Sequence, residues 1–149
     1  MTPAQRAALA ASSAGDDGAP LSRFASPPAS AGKRHRVRVL AASAAPAIRE
    51  SAALAHHAPP DVLELLARDA VASVRRCVAR NPATDPGVLT GLASDPDAFV
   101  RGWVAANPQA PAAVRELLAE DPDAGVRAVV AWVARWHTGP AERTRPVRP

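Results

Sequence analysis

The chain repeats itself with a period of 26 residues, and this period limits the folds open to it more than any other feature. Three dipeptides keep the spacing without a gap: Val-Arg at 74–75, 100–101 and 126–127, Leu-Ala at 66–67, 92–93 and 118–119, and Val-Ala at 78–79, 104–105 and 130–131. One step earlier, Ile48-Arg49 matches the Val-Arg pair, which indicates a degenerate preceding unit. Such periods are typical of solenoids, in which each unit is stable only against its neighbours.

Two helical pieces make up each unit. In the second piece, Val100, Trp103 and Val104 follow the i, i+3, i+4 spacing of a helix face that packs on a core. The first piece, residues 86–93 in the third unit, is about two turns long and is expected as a short α-helix or a partly 3₁₀ segment. The predicted fold is therefore all-α, a short right-handed α-solenoid of stacked units with no sheet.

The ends of the second helix carry their own signals. We expect Asp95 to be the N-cap and Pro96 to take the first helical position, where no amide partner is needed. Asn107 is expected to stop the helix in the left-handed conformation, and Pro108 forbids its continuation.

The chain divides into a repeat domain between two tails. Residues 1–36 and 137–149 are rich in Ala, Ser, Pro and Gly or in charge, and are predicted to be disordered. The repeat domain covers 37–136, with units at about 37–56, 57–80, 81–106 and 107–136.

The third and fourth units carry a family resemblance. Their sequences, NPATDPGVLTGLASDPDAFVRGWVAA and NPQAPAAVRELLAEDPDAGVRAVVAW, resemble the leucine-rich repeat variant, a HEAT-like repeat. The resemblance implies a curved solenoid of alternating α and 3₁₀ helices over about 37–136. Some members of that family carry a cysteine-rich iron–sulfur region. With one cysteine in the sequence, that chemistry does not carry over.

Arginine recurs at one position of every unit and forms a ladder: Arg49, Arg75, Arg101 and Arg127. A row of cations suits phosphates or an acidic partner, which makes Arg75, Arg101 and Arg127 candidate binding residues. The favoured interpretation is structural: each guanidinium pairs with a helix-start carboxylate such as Asp97 or Asp123 and joins adjacent units.

Trp132 and Trp136 lie four residues apart on the last helix, which is expected to run from Asp121 to about Trp136. The favoured interpretation is a C-terminal cap in which both rings cover the final unit. The alternative is an exposed aromatic anchor for a partner, because tryptophan is enriched among residues that dominate binding energy.

Positive charge is concentrated at the flanks, with a net charge of +4 for the whole chain. The segment KRHRVR at 33–38 is the densest cluster, and we interpret it as a solubilising flank ahead of the repeats. An arm for nucleic acid is the alternative, although no aromatic residue is interleaved with these cations to stack on bases.

No chemistry of catalysis or metal binding is visible. Cys77 stands at the Trp103 position and is expected to be a buried small apolar residue. His56 and His57 are adjacent, do not converge on one ion, and are expected in a turn. The sequence predicts no enzyme, no cofactor, no metal and no membrane span, and favours a cytoplasmic monomer.

Function is therefore assigned to a surface. The leading hypothesis is a non-catalytic repeat scaffold that binds a protein or peptide partner on its stacked helices. The alternative is a HEAT-like nucleic-acid-binding protein that uses the arginine ladder, with Arg76, and the basic arm.

Overall fold

Helices alternate with short loops throughout the part of the chain that the computed structural model describes, residues 30–137, and no strand occurs there. The helices of this range are α1 Ala31–Ala41, α2 Pro46–Ala53, α3 Pro60–Leu66, α4 Ala72–Arg80, α5 Pro86–Leu92, α6 Ala98–Ala106, α7 Ala112–Ala119 and α8 Ala124–His137. The prediction of an all-α repeat fold is confirmed. The tails predicted to be disordered fall largely outside the described residues, at 1–29 and 138–149.

The helices form two layers. In one layer α2, α4, α6 and α8 stack side by side, each against the next. The shorter helices α3, α5 and α7 form the other layer, and each packs on the long helix that precedes it and on the one that follows. A unit is thus a short helix followed by a long one, with α1 and α2 as the degenerate first unit.

Aliphatic side chains in register fill the space between the layers. Val100 and Val104 of α6 are 0% exposed, as are the equivalent Val74 and Val78 of α4. Leu92 contributes from α5, and leucines take the same position in α3 and α7. Short helices of this kind do not persist alone in water, so this shared core holds them together.

Two buried asparagines, Asn81 and Asn107, link successive units. Asn107 donates its side-chain N–H groups to the carbonyls of Ala79 and Asn81 in the preceding unit, at 2.7 and 2.9 Å. Asn81 donates in the same way to Ala53 and Ala55. These amides satisfy carbonyls at the end of the preceding long helix, where no intrahelical partner remains.

The predicted helix ends need correction. Asp95 is not the N-cap of α6: the helix begins at Ala98, and the Asp97 carboxylate accepts the N–H groups of Phe99 and Val100. Likewise α8 begins at Ala124 rather than at residue 121.

The stop residue differs as well. Asn107 is not left-handed but extended, with φ −71° and ψ 130°. The residue before a proline is pushed to this region by the pyrrolidine ring, and Pro108 follows Asn107.

The basic segment 33–38 is helical, which differs from the expectation of a disordered flank. Ser30 caps α1 by accepting the N–H of Lys33 at 3.3 Å. Val37 and Ala41, four residues apart, are buried against the array, and Arg38 pairs with Asp61 of α3. The segment is therefore the exposed side of an amphipathic first helix.

Candidate interaction surface

Three of the four ladder arginines bind an aspartate 20 residues further along the chain, in the following unit. In each pair Nε and Nη2 reach both carboxylate oxygens, at 2.6–3.0 Å: Arg49 with Asp69, Arg75 with Asp95, and Arg101 with Asp121. The remaining nitrogen, Nη1, donates to two loop carbonyls of the arginine's own unit. This fork geometry is the strongest arrangement that a guanidinium and a carboxylate adopt.

The ladder thus lies in the joints between units. The side chain of Arg75 is 13% exposed and that of Asp95 4%, and Arg101 with Asp121 is similar. The structural interpretation agrees with this placement, although the partners expected from the sequence, Asp97 and Asp123, are wrong by two residues. Arg75 and Arg101 have their guanidinium nitrogens engaged here, whereas Arg127 is exposed at the end of the array.

These pairs change the acidity of their carboxyl groups. Hydrogen bonds from Arg49 and from Arg101 lower the pKa of Asp69 and of Asp121, against the opposing effect of burial. Burial acts to raise the pKa of Asp95, and hydrogen bonds from Arg75 and the Asp97 N–H outweigh it, so this pKa is lowered too.

The free energy of unfolding is therefore expected to fall at low pH. A carboxyl with a lowered folded-state pKa contributes stability that is complete above its unfolded value, about 3.9, and is lost as the pH falls through the folded value. Urea unfolding followed by circular dichroism should give a constant free energy of unfolding from neutral pH down to about pH 5, and a steep fall below about pH 4. Asp95→Asn should make that fall shallower. Parallel pH curves for the two proteins would contradict the assignment.

Every aromatic side chain in residues 30–137 is exposed. Phe99 and Trp103 of α6 are 71% and 41% exposed, and Trp132 and Trp136 of α8 are 55% and 71% exposed. Large aromatic rings ordinarily dominate a core, because each buries a large apolar area. Here the core consists of smaller side chains, and the rings lie on two adjacent helices.

Helical register places these four rings on the outer side of the long-helix layer. Members of each pair are four residues apart, so they share one face of their helix. The 26-residue register aligns Trp132 with Ala106, one turn beyond the Trp103 position. The Trp132 and Trp136 rings contact each other, with centroids 5.9 Å apart and planes inclined by 56°.

Two arginines of α4 extend this surface. The Arg76 guanidinium lies over the Phe99 ring at 5.6 Å, and that of Arg80 over the Trp103 ring at 5.1 Å. Such stacking holds a cation at the surface while its charge stays available. We call this surface the aromatic face: Phe99, Trp103, Trp132, Trp136, Arg76 and Arg80. Helices α4, α6 and α8 contain no Asp or Glu.

The prediction that the two tryptophans cover the final unit as a cap is wrong. Val126 and Val133 are the buried residues of α8, and Val129 and Val130 pack against the core. The rings remain exposed beside each other. The spacing predicted their shared face, and their exposure agrees with the alternative of an aromatic anchor. Trp103, predicted to lie on the core-packing face of its helix, is 41% exposed, so that prediction is wrong. Phe99 and Arg80 were not singled out from the sequence.

The repeat architecture and the register of its joints agree with one comparison. Residues 78–134 match the family model of the Leucine Rich Repeat Variant domain. This segment is therefore similar to leucine-rich repeat variant domains. No curated protein and no solved structure gives a significant match to the chain.

The leucine-rich repeat variant match begins inside α4, but the same construction continues upstream. The Arg49–Asp69 pair and the Asn81 link repeat, one unit earlier, the contacts found between residues 78 and 134.

Other residues considered for chemistry lie apart from the aromatic face or lack ligands. His56 and His57 are in an exposed turn, as predicted. Cys77 is partly buried against the core, and that burial raises the pKa of its thiol. In residues 30–137 no group of three His, Cys, Asp or Glu side chains is placed to hold a metal ion. None of the helices in this range is long and apolar enough to cross a membrane.

Proposed function

We propose that this protein is a non-catalytic scaffold that binds a protein or peptide partner on its aromatic face. The observation that carries the proposal is the exposure of all four aromatic rings of the described residues on two adjacent helices. Exposed contiguous apolar surface on a small protein marks an interaction site, and tryptophan and arginine are the residue types that contribute most to binding energy.

Charge narrows the class of partner. Arg76 and Arg80 are held on aromatic rings and form no ion pair among the described residues, and helices α4, α6 and α8 contain no Asp or Glu. The acid of the neighbouring helix α2, Glu50, accepts the Ser73 hydroxyl. Favourable electrostatics with such a surface require carboxylates on the partner. A peptide segment with apolar side chains for the rings and acidic residues for the arginines fits both properties.

Single-stranded nucleic acid is the second candidate, because bases stack on aromatic rings beside arginine. The placement of the ladder arginines favours a protein partner over nucleic acid. Arg75 and Arg101 bind aspartates inside the joints, so the cations left on this side are too few to follow a phosphate backbone.

The experiment is affinity capture with the tagged full chain, washed at low and high salt and with and without nuclease. A stoichiometric protein that survives both treatments is expected, and Trp132→Ala and Trp136→Ala should each weaken its binding about tenfold. The matched controls are Leu65→Ala and Leu117→Ala, which remove side chains 61% and 60% exposed on the short helices α3 and α7.

The four variants should unfold like the wild type, since all of the side chains are exposed. Recovery of nucleic acid that is lost at high salt would replace the protein partner by the second candidate. Equal losses of binding for the tryptophan and leucine variants would refute the aromatic face as the site.

A further inference from the structure

The last ladder arginine has the same anchor as the others. Arg127 donates from Nη1 to the carbonyls of Asp121 and Pro122 at 2.6 and 3.0 Å. Arg101 donates from Nη1 to Asp95 and Pro96 in the same way, at 2.8 and 3.4 Å. The backbone of each unit therefore orients the guanidinium whether or not a carboxylate is bound to it.

Arg127 differs from the other ladder arginines at its Nε and Nη2 nitrogens. In the three preceding units Nε and Nη2 bind an aspartate of the following unit. No described residue follows α8 to supply one, and no carboxylate within residues 30–137 pairs with Arg127. Its side chain is exposed, whereas those of the paired ladder arginines are largely buried.

The surface beside the Arg127 guanidinium is also uncovered, at a position that is buried in the preceding long helices. Ala53, Ala79 and Ala105 occupy one position of successive long helices, and each is 0% exposed because the following unit covers it. Ala131 occupies that position in α8 and is exposed. A small side chain at this position leaves room for a neighbouring helix to pack closely.

We propose that Arg127 and Ala131 form a docking end for a protein partner, which stacks a helical segment on α8 as a further unit and places an aspartate in the arginine fork. The chemistry of the occupant follows from the three internal joints, where the same fork takes a carboxylate with two hydrogen bonds. The docking end thus continues an interface that the chain already uses three times.

This site is separate from the aromatic face. Arg127 and Trp132 are five residues apart on α8, which places them about 140° apart around the helix axis. The docking end also differs from the internal joints in one respect. Helix α8 continues past Val133, whereas α6 ends at Ala106, one residue before the equivalent Asn107. The α8 carbonyls that would accept from a further asparagine therefore lie inside a continuing helix. Recognition therefore depends on the fork.

The chain supplies a probe for this site. A labelled peptide of residues 107–131 contains the aspartate that fills the Arg101 fork and ends before Trp132. We would measure its binding to the full chain by fluorescence anisotropy, beside a second peptide with Asp121→Asn. The expected result is about tenfold tighter binding of the aspartate peptide, because loss of a charge-assisted bidentate pair is worth about 1.4 kcal/mol or more.

Substitutions in the full chain test whether the difference in affinity between the two peptides depends on Arg127. Arg127→Lys keeps the charge but loses the planar fork, and it should abolish the difference between the two peptides. Arg68→Lys, at an exposed arginine of α3, should leave that difference unchanged. The proposal is overturned by absence of binding up to millimolar peptide, by equal affinities of the two peptides, or by a difference that persists in Arg127→Lys.

Discussion

Replacing Asp95 by alanine is expected to lower the free energy of unfolding by about 2 to 3 kcal/mol. The substitution removes both oxygens that bind Arg75 Nε and Nη2, and it leaves a guanidinium that is 13% exposed without its counter-charge. It also removes the acceptor for the Asp97 N–H, which orders the loop before α6. Small domains are stable by about 5 to 15 kcal/mol, so this loss is a large fraction of the total.

Urea unfolding at neutral pH measures this effect, and Asp61→Ala is the matched control. Asp61 also pairs with an arginine, Arg38, at 2.9 Å, but the two side chains are 60% and 49% exposed. Ion pairs in contact with solvent contribute little, so the control should unfold close to the wild type. Equal destabilisation by the two substitutions would mean that the joints do not depend on burial of the pair.

Replacing Asn107 by alanine is expected to cost about 2 kcal/mol. The side chain is 3% exposed and donates to two carbonyls of the preceding unit, those of Ala79 and Asn81. Alanine leaves both carbonyls without this donor in a place that water does not readily reach. An unsatisfied buried polar group is penalised more than its hydrogen bond contributed.

Gln109→Ala is the control for this second experiment, because Gln109 is exposed in the same loop and uses only its backbone N–H to bind Asn107. Hydrogen exchange should also show faster exchange at the end of α4 in Asn107→Ala. Unchanged stability of Asn107→Ala would contradict the role of asparagine as a link between units.

The repeat fold was predictable because every unit solves the same packing problem with the same residues at the same spacing. Val100 and Val104 define a core face by their spacing alone, and the period of 26 residues predicts the stacking. The choice between Asp95 and Asp97 was not predictable in this way. Both precede the helix, and the arginine that selects Asp95 comes from another unit.

The surface was harder to predict than the core for a related reason. Trp103, Cys77 and Val129 share one register position, and periodicity treats them alike. Exposure depends on how far the neighbouring helix extends and on what its side chains leave uncovered, which is a property of the assembled layer. The helical state of residues 33–38 was hidden by their charge, although the spacing of Val37 and Ala41 was a signal.

The joints between units follow one another along the array, and this arrangement has a mechanical consequence. A pulling force applied at the two ends would pass through each Arg–Asp joint in series, so the weakest joint sets the load at which unravelling starts. Arg38–Asp61 is the most solvent-exposed of the pairs that join helices far apart in the chain. Under tension, α1 should therefore detach first, while the buried joints that follow still hold.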